Sequence, residues 1–375
     1  MITLLAINWA SVGLQAGQLI LSLSILVIIH ELGHYLTAKW FKCRVEKFYL
    51  FFDPWFSLLK KKVGETEYGI GWLPLGGYVK IAGMIDESMD KEQMKKPAEP
   101  WEFRSKPAWQ RLIIMVAGVT MNILLAFFIY SMILLVWGER KVPVSSMKYG
   151  LAFRDSLMFD LGFKNGDKIL AVNNQPVEDY TDIVKKLILG NEVSIERDGK
   201  LETVTLPVDL IGKLVEKKRS RMPLLEPRIP VIVDEVADSS NAYKAGLKSG
   251  DQIIAVNSAS AIFFDELKNV LENSKEQTVQ VNVLRGKDTL SLPTAVTKDG
   301  TIGFYPVSAI SDLDSMGILK LHITKYSVLQ AFPAGVKRAG VELQFYIDQF
   351  KKILSPETGA YKGVGGFKAM GSVFS

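Results

Sequence analysis

The segment His30-Glu31-Leu32-Gly33-His34 combines residue types that can carry out hydrolysis on a bound metal ion. Two histidines four positions apart lie on one face of an α-helix, so both imidazoles can reach one zinc ion. The glutamate between them can act as a general base on a water molecule at that ion. The sequence therefore predicts a Zn²⁺ site with His30 and His34 as metal ligands and Glu31 as the catalytic residue.

The motif lies near the end of an apolar segment that contains no Asp, Glu, Lys, Arg or His from Met1 to Ile29. We predict a membrane-spanning helix over about 14–36, since a span needs roughly 20 residues. An ionisable cluster at membrane depth is costly and indicates a functional site. A soluble zinc peptidase could show the same five residues, but it would need this charge-free run to be a buried core helix. The run also lacks the basic start of a cleaved signal peptide.

A second apolar segment, about 112–137, has no charged residue and predicts a second span. The loop between the two predicted spans is rich in basic residues, and the segment before the first span has none. The positive-inside rule then places the loop in the cytoplasm and the N-terminus outside, so the chain after Trp137 starts on the extracytoplasmic side. The basic residues of this loop include Lys39, Lys42, Arg44, Lys47, Lys60, Lys61, Lys62, Lys95, Lys96, Arg104 and Lys106.

The composition fits membrane segments joined to soluble domains. Of 375 residues, 48% are hydrophobic and 23% are charged, and the mean hydropathy is +0.15. A formal net charge of +5 does not indicate a nucleic-acid partner. Cys43 is the single cysteine, so an intramolecular disulfide is excluded and the redox compartment cannot be inferred.

The middle of the chain contains an internal repeat. Residues 162–173 (Gly-Phe-Lys-Asn-Gly-Asp-Lys-Ile-Leu-Ala-Val-Asn) match 246–257 (Gly-Leu-Lys-Ser-Gly-Asp-Gln-Ile-Ile-Ala-Val-Asn) at eight of twelve positions. Such self-similarity predicts two copies of one module. The pattern resembles bacterial PDZ domains, which implies mixed α/β domains over 142–210 and 225–308, with 211–230 as a linker. PDZ domains imply C-terminal peptides as partners, and whether either groove binds a peptide stays open.

A glycine-rich stretch, Tyr68 to Ile81, predicts a bent β-hairpin near the membrane surface, within a cytoplasmic region of about 63–84. It could also be an ordinary glycine-rich turn. A helix hides its peptide bonds, so a protease that acts in a membrane must hold its substrate extended, and an edge strand can do this by β-augmentation. The candidate substrate-binding residues here are Gly71, Trp72, Gly76, Gly77 and Tyr78.

The second predicted span contains Ala117-Gly118-Val119-Thr120-Met121-Asn122, which places small and polar residues within hydrocarbon. Small residues at this depth can serve helix packing. Alternatively, Asn122 could hydrogen-bond the substrate backbone or support the transition state, which makes it a further substrate-binding candidate. A later segment, Tyr326 to Leu354, has apolar residues at helical spacing together with Lys337, Arg338, Glu342 and Asp348. Its hydropathy favours an amphipathic helix over a membrane span.

Together these elements resemble the site-2 protease family of intramembrane zinc metalloproteases, in particular the regulator of sigma-E protease type. The His-Glu-x-x-His helix, the Gly-Trp-Leu-Pro-Leu-Gly-Gly-Tyr-Val-Lys stretch, the helix with Asn122 and the tandem PDZ pattern follow in the family's order over nearly the whole chain.

The resemblance implies a multi-pass α-helical membrane protein with two extracytoplasmic PDZ-like (mixed α/β) domains, in the bacterial inner membrane. The membrane protease core would cover 1–141. The resemblance also implies cleavage of membrane-spanning protein substrates after another protease has trimmed them, typically anti-sigma factors or remnant signal peptides. Residues 326–375 would then hold a third membrane segment and the start of the following loop.

The chain departs from the family pattern at two points. Val119 stands where the family usually has proline. The family's third zinc ligand is an Asp in a Leu-Asp-Gly motif of a fourth membrane helix, and this sequence has no such motif. Asp314 lies in a polar extracytoplasmic stretch and is a poor substitute. We therefore expect the third ligand beyond Ser375, and we expect two histidines alone to bind zinc weakly. A membrane-anchored tandem-PDZ adaptor without catalysis is the alternative function.

Overall fold

The computed structural model describes residues 9–84, 97–216, 223–366 and 370. The chain divides into two compact units. The first unit comprises Met1–Val136, Tyr326–Val341 and Val364–Ser375, and the second comprises Trp137–Lys325 and Glu342–Gly363. Lys95, Lys96, the middle of the predicted linker (217–222) and most of the last nine residues lie outside the described part.

Two long helices dominate the first unit: α1 (Trp9–Trp40) and α2 (Ala108–Trp137). Each is longer than its predicted span. Both are long and apolar enough to cross a membrane, judged by length and composition. None of the most apolar window of α1 is buried, whereas a helix in the core of a soluble protein is buried on most sides.

A strongly bent sheet follows α1 and is formed by two long strands, β1 (Val45–Val63) and β2 (Thr66–Ile81). The first part of β1 pairs on both sides, because Leu50 lies opposite Ile70 on one side and Gly77 on the other. The sheet therefore has four segments in the order 77–81, 45–50, 66–71 and 57–63. The hairpin predicted over 63–84 is present, but its sheet begins already at Val45.

The bend in β1 is made by unusual backbone conformations and by side-chain hydrogen bonds. Phe51 and Trp55 have positive φ angles of 68° and 73°. Asp53 then accepts a hydrogen bond from Ser57 Oγ (3.0 Å) and another from Tyr78 Oη (2.9 Å). Because β1 reverses at this bend, its far segment returns to pair with β2, and 77–81 is left as a sheet edge next to α1.

A further helix, α9 (Val328–Leu354), contains Pro333 in its interior. Among the residues described, only α1 and α2 meet the length and composition criterion for a span. Within the first unit, Gly335 lies directly against Ser131 of α2, and a Cβ atom on Gly335 would collide with the Ser131 backbone. The glycine thus allows the two helices to approach closely.

The second unit contains two modules of the same architecture. Each has a four-stranded antiparallel sheet, a two-stranded ribbon and two corresponding helices, and the first module has one further helix. The first module consists of β4 (Leu151–Phe153), α3 (Ser156–Asp160), β5 (Lys168–Val172), β6 (Gln175–Pro176), α4 (Tyr180–Leu189), β7 (Glu192–Arg197), β8 (Lys200–Thr205), α5 (Leu210–Glu216) and β9 (Leu225–Pro227). The second consists of β10 (Val233–Val236), α6 (Asn241–Lys244), β11 (Gln252–Val256), β12 (Ala259–Ser260), α7 (Phe264–Glu272), β13 (Thr278–Arg285), β14 (Asp288–Ala295) and β15 (Phe304–Pro306).

The two modules share details of pairing as well as strand order. The sheets run β6-β5-β7-β8 and β12-β11-β13-β14. Each has an irregularity at the same place, between Ile169 and Ala171 in one copy and between Ile253 and Ala255 in the other. Alternate residues of the central strands are buried, as in Val193 and Ile195, which is the period expected of a sheet with one face on a core. The sequence repeat is therefore a structural repeat.

The segment predicted as a linker, 211–230, is partly built into the first module. Helix α5 begins at Leu210, and β9 pairs with β4. Leu210 and Leu225 are both buried in the core of this module. Burial of these two leucines holds the residues on either side of the basic segment in the module. The linker prediction relied on charge content and therefore missed this. Beyond the modules, β3 (Glu139–Lys141) pairs with β16 (His322–Thr324), and α8 (Ile310–Ser315) precedes β16.

Candidate metal centre

His30 and His34 lie one turn apart on α1, and their rings converge. The two Nε2 atoms are 3.2 Å apart. Two nitrogen ligands at the usual zinc–nitrogen distance in a tetrahedral site are about 3.3 Å apart. The spacing of the two nitrogens therefore fits shared ligation of one zinc ion, as the motif predicts.

A backbone carbonyl of α2 orients the His34 ring. Nδ1 of His34 lies 2.7 Å from the carbonyl oxygen of Ile114, a distance at which Nδ1–H donates to that oxygen. A neutral imidazole carries one N–H, so this bond leaves a lone pair on Nε2 for a metal. Metal-ligating histidines commonly hold their second ring nitrogen in this way.

Small residues let α2 lie directly beside the two rings. A Cβ atom on Gly118 would be 2.5 Å from Nε2 of His34 and 2.6 Å from Nε2 of His30. On the other helix, a Cβ atom on Gly33 would be 2.5 Å from the carbonyl oxygen of Ala117. The missing side chain at Gly118 therefore keeps open the space that both ring nitrogens face, which is where a shared metal would lie.

Glu31 is directed towards the edge of the bent sheet. A Cβ atom on Gly77 would be 3.6 Å from Cγ of Glu31 and 2.8 Å from Cγ1 of Val27. The backbone amide of Val79 faces the Glu31 carboxylate. The edge segment 77–81 and the predicted general base are thus immediate neighbours.

The other predicted substrate-binding residues of the sheet have different surroundings. Trp72 donates from Nε1 to the carbonyl oxygen of Pro54 at 2.9 Å. Gly71 and Gly76 make room for the backbone and the ring of Phe52, respectively. Burial and the hydrogen bond to Asp53 raise the pKa of Tyr78 far above its ordinary value, so its hydroxyl stays protonated. These four residues hold the bend together, and Gly77 is the member of the set that lies beside Glu31.

Asn122, the substrate-binding candidate on α2, lies beside a histidine. Its Nδ2 is 3.4 Å from Nδ1 of His30. Its Oδ1 is buried and has no hydrogen-bond partner in the described part of the chain. The sequence did not indicate the roles of Ile114 and Gly118. The sequence feature that could have indicated them is the pair of small residues, Ala117 and Gly118, in a run of otherwise bulky apolar residues.

The described residues supply two protein ligands at this centre. No group of three or more His, Cys, Asp or Glu side chains that could hold a metal ion is found in residues 9–84, 97–216 and 223–366. Asp314 lies on α8, where its carboxylate accepts a hydrogen bond from the backbone amide of Leu321 at 3.0 Å. The donor set of two imidazoles suits zinc, and Asp314 has a local structural role.

The second unit contains a groove of a different kind, between α7 and β15. It encloses about 510 Å³. Leu267 and Leu271 of α7 form one wall, and Phe304 and Tyr305 of β15 form the other. Strand β15 pairs with β10 along one side. In the first module, Tyr180 of α4 reaches across to β9 instead, donating from its hydroxyl to the carbonyl oxygen of Leu225 at 3.2 Å.

A glutamate between two histidines whose Nε2 atoms converge, on an apolar helix, defines a candidate metallopeptidase centre. Comparison with known proteins agrees with this class. The model of peptidase family M50 matches residues 18–370, and the chain belongs to this family. The resemblance to site-2 proteases is thereby confirmed at the level of the family.

Several curated bacterial relatives are provisionally named zinc metalloproteases. A protein of Borreliella burgdorferi is 28% identical over 293 residues, which cover 76% of this chain and 64% of that protein. One of Treponema pallidum is 29% identical over 275 residues, covering 70% and 59% of the two chains. One of Chlamydia pneumoniae is 37% identical over 179 residues, covering 47% and 28%. The chain thus spans less than two thirds of the length of the relatives it matches.

Proposed function

We propose that this chain carries the catalytic core of a zinc-dependent intramembrane endopeptidase. The observation that carries the proposal is the convergence of His30 and His34 Nε2, 3.2 Å apart, with Glu31 facing the edge of a β-sheet. A zinc ion held by the two imidazoles supplies Lewis-acid activation of water and of a peptide carbonyl. The names of the relatives support zinc as the metal.

Within this proposal Glu31 moves protons. It accepts a proton from the attacking water and passes it to the departing amine of the cleaved peptide bond. The sheet edge 77–81 holds the substrate extended by β-augmentation beside Glu31, because the Val79 amide already faces that carboxylate. Gly77 lets the edge approach α1 closely. The fixed rings of His30 and His34 keep the reacting groups in one geometry.

The membrane placement is part of the proposal. The lengths and compositions of α1 and α2 support two spans, and the basic loop between them supports a cytoplasmic position for the sheet. The bend of the sheet also exposes large apolar side chains: Trp55 is 91% and Leu59 68% exposed. Exposed apolar groups of this size suit contact with lipid. On this topology the two modules lie on the extracytoplasmic side of the inner membrane of a bacterium, and 326–375 begins with a third membrane segment.

The substrates that we propose are membrane-spanning segments of proteins already trimmed outside the membrane, of the anti-sigma-factor or signal-peptide type. An intact membrane helix offers no free peptide edge, so such a segment must unwind before it can pair with the edge 77–81. The two modules, interpreted as PDZ-like domains, would screen what reaches the core.

A second, compatible function is peptide binding by the second module. The groove between α7 and β15 has apolar walls, and in the described residues β15 pairs with β10 on one side only, as in a strand-addition site. We propose that it takes an extended C-terminal peptide with an apolar last residue. A non-catalytic adaptor would use this groove alone and would not need Glu31.

The proposed peptidase is tested with Glu31→Gln in the full-length protein, with Glu65→Gln on the exposed turn of the hairpin as the matched control. The readouts are cleavage of a pre-trimmed membrane-spanning substrate and bound zinc. We expect Glu31→Gln to keep zinc and abolish cleavage, and Glu65→Gln to keep both. Cleavage retained by Glu31→Gln would overturn the mechanism. Absence of zinc and of cleavage from the unmodified protein, with peptide binding intact, would favour the adaptor.

A further inference from the structure

We infer that Asn122 is a positioning residue for His30, and that its side-chain oxygen accepts a hydrogen bond from Nδ1–H of that histidine. The inference rests on the zinc site of the proposed function. On this inference Asn122 does not bind the substrate, but acts by orienting His30, a predicted metal ligand.

The first step concerns the protons on the two rings. For both histidines to offer Nε2 to one ion, each neutral ring must carry its proton on Nδ1. His34 meets this requirement, because its Nδ1 is placed to donate to the Ile114 carbonyl oxygen at 2.7 Å. His30 needs an acceptor of its own at Nδ1.

The second step identifies that acceptor. The side-chain amide of Asn122 lies at Nδ1 of His30, with its nitrogen 3.4 Å away. If that nitrogen donates to Nδ1, the His30 proton sits on Nε2 and points at Nε2 of His34, and the ring cannot bind a shared metal. A half-turn of the amide about its Cβ–Cγ bond exchanges its oxygen and nitrogen. Oδ1, which is buried without a hydrogen-bond partner in the described residues, then accepts Nδ1–H and leaves the Nε2 lone pair for zinc.

The third step is the arrangement of α2. Ile114, Gly118 and Asn122 are spaced by four residues, so they form one stripe along the helix. Successive members of the stripe orient His34, leave open the space before both rings and orient His30. One face of α2 therefore supplies contacts to both predicted ligands.

The test measures the zinc Kd by competition with a chromogenic chelator, using the full-length protein in detergent and Zn²⁺ alone as the probe. The variants are Asn122→Leu, which removes the acceptor, and Asn122→Asp, which keeps one. Thr120→Ala is the control, because this exposed residue of α2 hydrogen-bonds the Val116 carbonyl oxygen of its own helix. Losing such an outer partner typically weakens metal binding about 10–100-fold. We expect a rise of that size for Asn122→Leu, a Kd within a few-fold of the unmodified protein for Asn122→Asp, and no change for Thr120→Ala.

The electronic absorption spectrum of the Co²⁺-loaded protein gives a second readout, since it reports on the ligand geometry. We expect it to change in Asn122→Leu and to be preserved in Asn122→Asp. An unchanged zinc Kd in Asn122→Leu together with lost cleavage would overturn the inference and favour the substrate role. Equal weakening by the Leu and Asp variants would also overturn it. His30→Ala separates the two proposals, because zinc binding that is insensitive to this variant would overturn the zinc site itself as well.

Discussion

Gly118 lies so close to His34 that a Cβ atom on the glycine would be 2.5 Å from Nε2 of the histidine. The same atom would be 2.6 Å from Nε2 of His30. A side chain at this position would therefore fill the space that the two ring nitrogens share, without removing either ligand.

We predict that Gly118→Ala weakens zinc binding by about tenfold or more, in the range found when the support of a metal ligand is lost. Either the methyl group occupies the metal position or α2 moves away and Ile114 no longer orients His34. The zinc Kd measures the effect. Gly17→Ala on α1 is the control, because a Cβ atom there would meet nothing within 4 Å. A zinc Kd unchanged by Gly118→Ala would argue against a metal between the rings.

The relation between Gly77 and Glu31 gives a prediction that separates substrate alignment from metal binding. A Cβ atom on Gly77 would lie 2.8 Å from both Val27 Cγ1 and the Tyr49 carbonyl oxygen, so Gly77→Ala must shift the sheet edge. A displacement of about 1 Å of a positioning element can cost about 100-fold in rate. We expect a loss of cleavage of that order with an unchanged zinc Kd, measured on a membrane-spanning substrate.

The matched control for this variant is Gly64→Asn in the tip of the same hairpin. Gly64 has a φ of 62° and open surroundings, and asparagine tolerates that backbone conformation. Cleavage should therefore continue. If Gly77→Ala cleaves as fast as Gly64→Asn, the edge 77–81 does not align the substrate.

Much of this arrangement could be predicted from the sequence, for identifiable reasons. The His-Glu-x-x-His spacing is a local property of a helix, so it predicts the convergence of His30 and His34 without further information. The repeated Gly-Asp turns likewise predict two similar modules. The bend at Asp53 was not predicted, because it depends on contacts with Tyr78, 25 residues later.

The residues of α2 that contact His30 and His34 could not be predicted from sequence patterns either. Ile114 acts through its backbone carbonyl, which every residue possesses, so its side chain carries no signal. Asn122 was noticed as a polar residue in an apolar run, but its neighbour, His30, lies 92 residues away. The packing of α1 on α2 determines that contact. The predicted linker 211–230 proved to be partly structured for a related reason. Leu225 is buried because β9 pairs with β4, and this pairing cannot be inferred from the charged residues nearby.

The second unit permits a prediction about how the modules are held together. Arg228, which follows β9, binds Asp265 at 3.0 Å and Glu266 at 2.8 Å at the start of α7. Its guanidinium also lies 3.9 Å from the ring centre of Phe263. We predict that Arg228→Met loosens α7, seen as faster amide exchange in 264–272. Residues in one ion-pair network typically couple by about 0.5–3 kcal/mol, so a double-mutant cycle with Asp265→Asn should be non-additive. If the effects of the two substitutions were additive, the ion pair between Arg228 and Asp265 would not stabilise α7.

The repeated Gly-Asp turns carry the last prediction. The Asp251 carboxylate is fully buried, binds the Arg285 guanidinium at 2.7 Å and accepts the Lys248 amide at 2.9 Å. Burial alone would raise the pKa of Asp251, but the hydrogen bonds from Arg285 and Lys248 outweigh it and hold this pKa below its usual range.

Asp251→Asn should therefore destabilise the second module by about 1.5–3 kcal/mol, the scale of a hydrogen bond to a charged group. The measurement is amide exchange in β11, with β5 of the first module as an internal reference in the same molecule. Because the folded-state pKa is lowered, the stability that Asp251 adds is complete above its ordinary pKa of about 4. It is lost as the pH falls through the lower, folded-state pKa. The difference between Asp251→Asn and the unmodified protein should hence shrink as the pH is lowered below about 4. A difference that stays constant down to strongly acid pH would mean that the carboxylate charge does not stabilise the turn.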